Sequence, residues 1–118
     1  MHDANIRFLA GTDAPEGFDL IPGASLPREL QWLVAAGFTP LQALQTATLN
    51  AASFLGRASD FGTVSPGKIA DLVLLSANPL SDIANTRTVV AVIADGRYYS
   101  RLDLDRLRLR LMGIAASR

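Results

Sequence analysis

Apolar residues follow two different rhythms along this chain, and the change falls near its middle. The run Ile6–Ala10 (Ile-Arg-Phe-Leu-Ala) is mainly apolar and predicts a short strand of the kind buried in a parallel sheet, stopped at Gly11. Residues 14 to 24 are rich in Pro and Gly and predict a loop. Ser25 is placed to cap a helix over Leu26–Ala36, with Pro27 and Glu29 in its first turn and Gly37 as a left-handed stop. Leu26, Leu30, Leu33 and Val34 give that helix one apolar stripe. Thr39-Pro40 opens a second helix in the same way, with Leu41, Leu44, Ala47, Thr48, Ala51 and Leu55 spaced for one face and Gly56 ending it.

Beyond residue 61 the period shortens. Gly62-Thr-Val-Ser-Pro-Gly67 is turn chemistry, and Ile69–Leu75 predicts a strand interrupted on its way in by Asp71. Asn78–Asp82 reads as a turn or a single helical turn, and Thr88–Ala94, β-branched and apolar, as a strand. Asp95-Gly96 then predicts a two-residue hairpin turn into Arg97–Ser100, so that 69–75 and 88–100 pair as antiparallel sheet. Asp103–Met112 carries leucines at 104, 107 and 111 for a terminal helix, although Leu107-Arg-Leu-Arg-Leu also fits an alternating strand; helix is the favoured reading.

Composition narrows the class. A chain of 118 residues that is 49% hydrophobic has the material for one core. Eleven basic and eleven acidic residues cancel, which argues against a nucleic-acid or anionic-membrane partner. No apolar stretch approaches the roughly 20 residues of a membrane span. The opening Met-His-Asp-Ala-Asn has neither a basic nor an apolar region of the signal-peptide kind, and a cytoplasmic location is the default expectation. The absence of cysteine excludes disulfides and thiolate metal sites.

The candidate chemistry lies in Gly11-Thr-Asp-Ala-Pro15. Here an apolar strand delivers a carboxylate, Asp13, where the chain must turn, and α/β barrels keep their chemistry at such strand tips. Other polar residues read as structure: Lys68 and Asp71 as turn and strand entry, Thr48 and Asn50 as backbone partners, and Glu16 and Asp19 as solvated loop. Trp32, Tyr98 and Tyr99 read as core or interface, and Arg106, Arg108 and Arg110 as a solvated helix face without interleaved aromatic residues.

Several motifs occur together in one order. They are Gly11-Thr-Asp-Ala-Pro15, Glu29-Leu30, Gly37-Phe-Thr-Pro-Leu-Gln-Ala-Leu-Gln-Thr-Ala-Thr-Leu-Asn-Ala-Ala52, Leu55-Gly56, Gly62-Thr-Val-Ser-Pro-Gly-Lys-Ile-Ala-Asp-Leu-Val-Leu-Leu75, Asn78-Pro-Leu-Ser-Asp-Ile83 and Val92-Ile-Ala-Asp-Gly-Arg-Tyr98. Over roughly residues 6 to 106 the chain resembles the C-terminal part of the metal-dependent amidohydrolase superfamily, in its imidazolonepropionase-like and prolidase-like branch. The resemblance implies an α/β fold: the last strand and closing helices of a (β/α)8 barrel over 1–58, antiparallel strands of a small β-sandwich over 59–101, and a terminal helix and tail over 102–118. It implies a divalent metal, zinc or similar, in the full-length protein. Asp13 would be a metal-contacting catalytic carboxylate that takes a proton from metal-bound water and passes it to the leaving nitrogen.

The family's remaining ligands are a His-x-His after the first strand, a lysine or carboxylated lysine on the fourth, and histidines on the fifth and sixth. This chain contains none of those strands, and His2, its one histidine, matches no ligand position. A catalytic zinc wants three protein ligands. The expectation is therefore a hydrolase of non-peptide, cyclic or imido carbon–nitrogen bonds in its full-length form, with this chain binding no metal and inactive alone. The alternative is a truncated, non-catalytic module that self-associates. Either a homo-oligomer or a missing N-terminal barrel piece would cover the open apolar faces.

Overall fold

The computed structural model of the protein describes residues 6–14 and 23–116. Three helices lead: α1 (Leu26–Ala35), α2 (Pro40–Ala47) and α3 (Leu49–Phe54). A three-stranded antiparallel sheet follows, ordered β1 (Leu72–Leu75), β2 (Val89–Ala94), β3 (Arg97–Ser100), with a short 3-10 helix (Ile83–Arg87) between its first two strands. The long helix α4 (Arg101–Ala116) closes the chain. This is a mixed α/β arrangement.

Both early helices end as their glycines predict. Gly37 donates its N–H to the Val34 carbonyl, and Phe38 to that of Leu33. Gly56 and Arg57 repeat the pattern on Ser53 and Ala52, so both ends are Schellman motifs. The helix starts divide. Thr39 makes a full capping box: its hydroxyl accepts from the Gln42 N–H while the Gln42 side chain accepts from the Thr39 N–H. Ser25 makes no side-chain cap; its carbonyl accepts from the N–H groups of Arg28 and Glu29 instead.

Two predicted elements are corrected. The single helix expected over 40–55 breaks at Thr48, whose backbone leaves helical geometry at φ −128° and ψ −91°. The hydroxyls of Thr46 and Thr48 turn back onto the carbonyls of Ala43 and Leu44, a pattern that bends helices. Gly62 packs into the resulting elbow, where an added Cβ would lie 2.7 Å from that of Ala52. The second correction concerns Ile6–Ala10, which forms no regular element and lies outside the described sheet. A strand needs a neighbour to share its ladder, and the described strands pair only among themselves. Helices hold this segment instead: Ala10 N–H donates to the Thr46 carbonyl at 3.2 Å and the Asn50 amide donates to the Phe8 carbonyl at 3.0 Å. Phe8 also packs edge-on against Phe38.

In the sheet, Leu72 faces Ile93 and Val73 faces Val92, with a bulge between Leu74 and Leu75. Asp95 and Gly96 both take positive φ, 49° and 75°, so the hairpin turn is type I′ and sets Tyr98 opposite Ile93 and Tyr99 opposite Val92. Residues 69–71 lie outside β1 and serve the turn. The Asp71 carboxylate accepts from the Asp95 N–H, and the Ala70 carbonyl from that of Gly96. The terminal segment is helix, beginning at Arg101 and running past Met112 to Ala116. Its start is a reciprocal box between Ser100 and Asp103.

The core is small. Leu30, Ala43 and Ile83 are buried together, with Ala10, Leu33, Val34, Phe38, Leu44 and Ala47 packed around them. Asp82 makes Ile83 available by capping the 3-10 helix through the Ala84 N–H.

Candidate functional site

Asp13 ends the extended segment, on the tip Gly11-Thr12-Asp13, and its side chain is exposed. Its backbone lies at φ 54°, the left-handed region that non-glycine residues seldom occupy. Three anchors fix the chain leading to it. Asn50 holds residue 8 and the Thr46 carbonyl holds residue 10, both contacts made at the elbow between α2 and α3. The third is Glu29 of α1, whose Oε1 accepts the Gly11 N–H at 2.5 Å. The second oxygen of Glu29 is shielded from solvent and has no hydrogen-bond partner among the described residues. Beyond the tip, the Ala14 N–H reaches the Thr12 hydroxyl at 3.4 Å.

A groove of about 170 Å³ runs beside this segment, lined by Ile6, Phe8, Phe38, Gln42, Thr46 and Asn50 among others.

Among the described residues no three His, Cys, Asp or Glu side chains come together as a metal-holding group. A single exposed carboxylate is too small a donor set for a divalent ion, which takes three protein ligands in catalytic zinc sites. The described residues therefore do not by themselves fit a catalytic metal. His2, Glu16 and Asp19 lie outside the described residues.

The residues read as structural are so employed. The Lys68 ammonium donates to the Ala58 carbonyl and the Thr63 hydroxyl, closing the loop before the sheet. Asp71 holds the hairpin turn. Thr48 and Asn50 both bond main-chain carbonyls. Arg106, Arg108 and Arg110 are exposed on α4, with Arg106 near Asp103 at 3.9 Å. Trp32 and Tyr98 are not core: both stand largely in solvent, and the Arg28 guanidinium covers the Trp32 ring. Sequence reasoning missed Glu29 as an anchor of the tip. Its position in the first turn of α1 reads as a dipole effect, and its partner is 18 residues away.

The carboxylate-bearing tip, the helices and the small antiparallel sheet follow one another in a mixed α/β arrangement, and the comparisons give its family. The chain matches the Amidohydrolase family over residues 1–98, and it belongs to that family. Imidazolonepropionase of Geobacillus kaustophilus is 33% identical over 108 residues, covering 82% of this chain and 25% of that protein. The crystal structure of phenylurea hydrolase B matches with a TM-score of 0.63 and 38% identity, over 68% of this chain and 17% of that one. A Xaa-Pro dipeptidase structure with bound methionine matches with a TM-score of 0.60 and 34% identity, over 63% of this chain and 18% of that one. The chain thus spans a quarter or less of the length of these relatives. The family is generally metal-dependent.

Proposed function

We propose that this chain is the C-terminal part of an amidohydrolase that, complete, cleaves carbon–nitrogen bonds outside ordinary peptides, in cyclic amides, N-acyl amino acids or imidodipeptides. In that reading residues 1–58 supply the last barrel strand and closing helices, 59–101 the sandwich segment, and 102–118 a terminal helix and tail. Asp13 is the carboxylate that takes a proton from the attacking water and returns it to the leaving nitrogen. One observation carries the reading: Asp13 stands exposed at the end of an anchored extended segment, within the stretch that matches the family. Any metal of the complete enzyme needs ligands beyond the described residues.

The chain alone is therefore expected to be inactive. After dialysis, elemental analysis should find no stoichiometric zinc, and cyclic amides, N-acyl amino acids and Xaa-Pro dipeptides should not turn over with added Zn²⁺ or Mn²⁺. Joined to the N-terminal portion of a related amidohydrolase, the same chain should support turnover that Asp13→Asn abolishes. Stoichiometric zinc on the isolated chain, or turnover indifferent to Asp13→Asn in the joined protein, would overturn the proposal.

A second reading rests on exposed apolar surface. Phe54, Trp32 and Val73 are 77%, 56% and 58% exposed, and Ile6 and Leu9 of the extended segment are exposed as well. Such surface favours a self-associating, non-catalytic module with a second copy of the chain as its partner.

A further inference from the structure

We propose that Glu29 is the positioning residue of Asp13, the side chain that sets the Gly-Thr-Asp tip in its left-handed conformation. The inference deepens the reading of Asp13 as the proton-transferring carboxylate and rests on it.

Within this chain residues 6–10 share no ladder with a described strand, so the tip is held here by its contacts to the helices. Asp13 holds φ 54°, a backbone state uncommon for a residue with a Cβ, though one that Asp enters more readily than most. Of the anchors on the segment, those from Asn50 and Thr46 act at residues 8 and 10. Among the described residues the Glu29 contact at Gly11 is the last anchor before Asp13, two residues short of it. It comes from the first turn of a separate helix, so it fixes the tip relative to a rigid element.

The bland reading of Glu29 is an acid at a helix N-terminus, stabilised by the dipole. An acid serving only the dipole gains most by keeping both oxygens solvated. Here Oε1 is committed to a main-chain N–H and Oε2 is withdrawn from solvent without a partner among the described residues. An unmatched buried acceptor lowers stability. Retaining it suits a residue placed for geometry. A charge-assisted bond from an amide N–H to a carboxylate is also the strong, short kind that can hold a loop in one state.

The test is NMR on the full chain, with Asp13 Cα and Cβ shifts reporting its backbone and amide exchange reporting Gly11. In Glu29→Ala the Asp13 shifts should move to random-coil values and Gly11 should exchange at least tenfold faster, while Ile83 and Ala91 keep their shifts. Glu29→Gln, which retains an acceptor, should restore both. If Glu29→Ala unfolds, Glu29→Asp gives the same reading, because it withdraws the carboxylate by one methylene. Unchanged Asp13 shifts in the folded Ala or Asp variant, or failure of Gln to restore them, overturns the proposal. In the joined hydrolase, Glu29→Ala should lower kcat at least tenfold with KM within twofold, and Gln should recover it; a KM effect alone would also overturn it. A silent Asp13→Asn there would sink the role of Asp13 while leaving the NMR result standing, so the two failures are distinguishable.

Discussion

Two glycines in the loop before the sheet share a conformation and differ in their surroundings. Gly62 and Gly67 lie at φ 92° and 85°, but only Gly62 is enclosed, pressed against Ala52 and the backbone at Thr48 and Leu49. Gly67→Ala should therefore cost about 1 kcal/mol, the left-handed penalty alone. Gly62→Ala adds overpacking and should cost about 2–4 kcal/mol in all. Paired thermal melts check the difference; equal losses would mean the elbow has room to give. Gly96 makes a third case, with open space around it and φ 75°. Gly96→Val should lower stability by at least about 1 kcal/mol through backbone conformation, while Gly96→Asn, which tolerates that region, should lose less. At this scale the sequence was readable at several places where a residue acts on its neighbours, although Ser25, placed to cap α1, makes no side-chain cap. Asp95-Gly96 made the turn that its dipeptide announces, and Thr39 made its cap. Glu29 was not readable as an anchor, because its partner Gly11 is reached only through the fold.

Elements start and stop through local hydrogen bonds, and one of these titrates. The Ser100 hydroxyl and N–H both donate to the Asp103 carboxylate, and these bonds hold its pKa below the ordinary 3.8. A depressed carboxylate contributes stability that is present above its unfolded value and lost as pH falls through the folded one. The first turn of α4 is thus expected to loosen below about pH 4, seen as faster amide exchange at residues 101–104. Asp103→Asn should remove that pH dependence; persistence of it in the variant would assign the titration to another group. Element existence was largely legible from apolar spacing, and the misreadings have physical causes. The periodicity of 40–55 is continuous, so it hid a break made by two threonine hydroxyls. The apolar run 6–10 has the composition of a strand, yet becomes one only beside another strand. The 3-10 helix with its buried Ile83 went unread because five residues are too few to show a period.

At the scale of the whole molecule the chain is open. Its radius of gyration is 15.6 Å, against about 13.5 Å for a compact domain of this length, and its extents are 49 × 37 × 28 Å. Among the described residues only Leu30, Ala43, Ala52, Ile83 and Ala91 form the buried apolar set, while leucines 102, 107, 109 and 111 of α4 stay exposed. Light scattering at micromolar concentration should therefore give a dimer or larger rather than a 12.6 kDa monomer. A monomer with a cooperative melt would show that this surface needs no cover. The same openness bears on the segment that carries Asp13. Its described contacts to the body are a few hydrogen bonds to helices, one aromatic pair and the packing of Ala10 on the core, with no ladder, so it sits on its own chain much as a bound peptide would. Severing the chain between residues 14 and 23 would turn that intramolecular contact into a bimolecular one, lost at ordinary concentrations and restored by excess peptide. A chain cut beyond Ala14 and its detached segment should then complement each other, with addition of the short piece alone reinstating the tip.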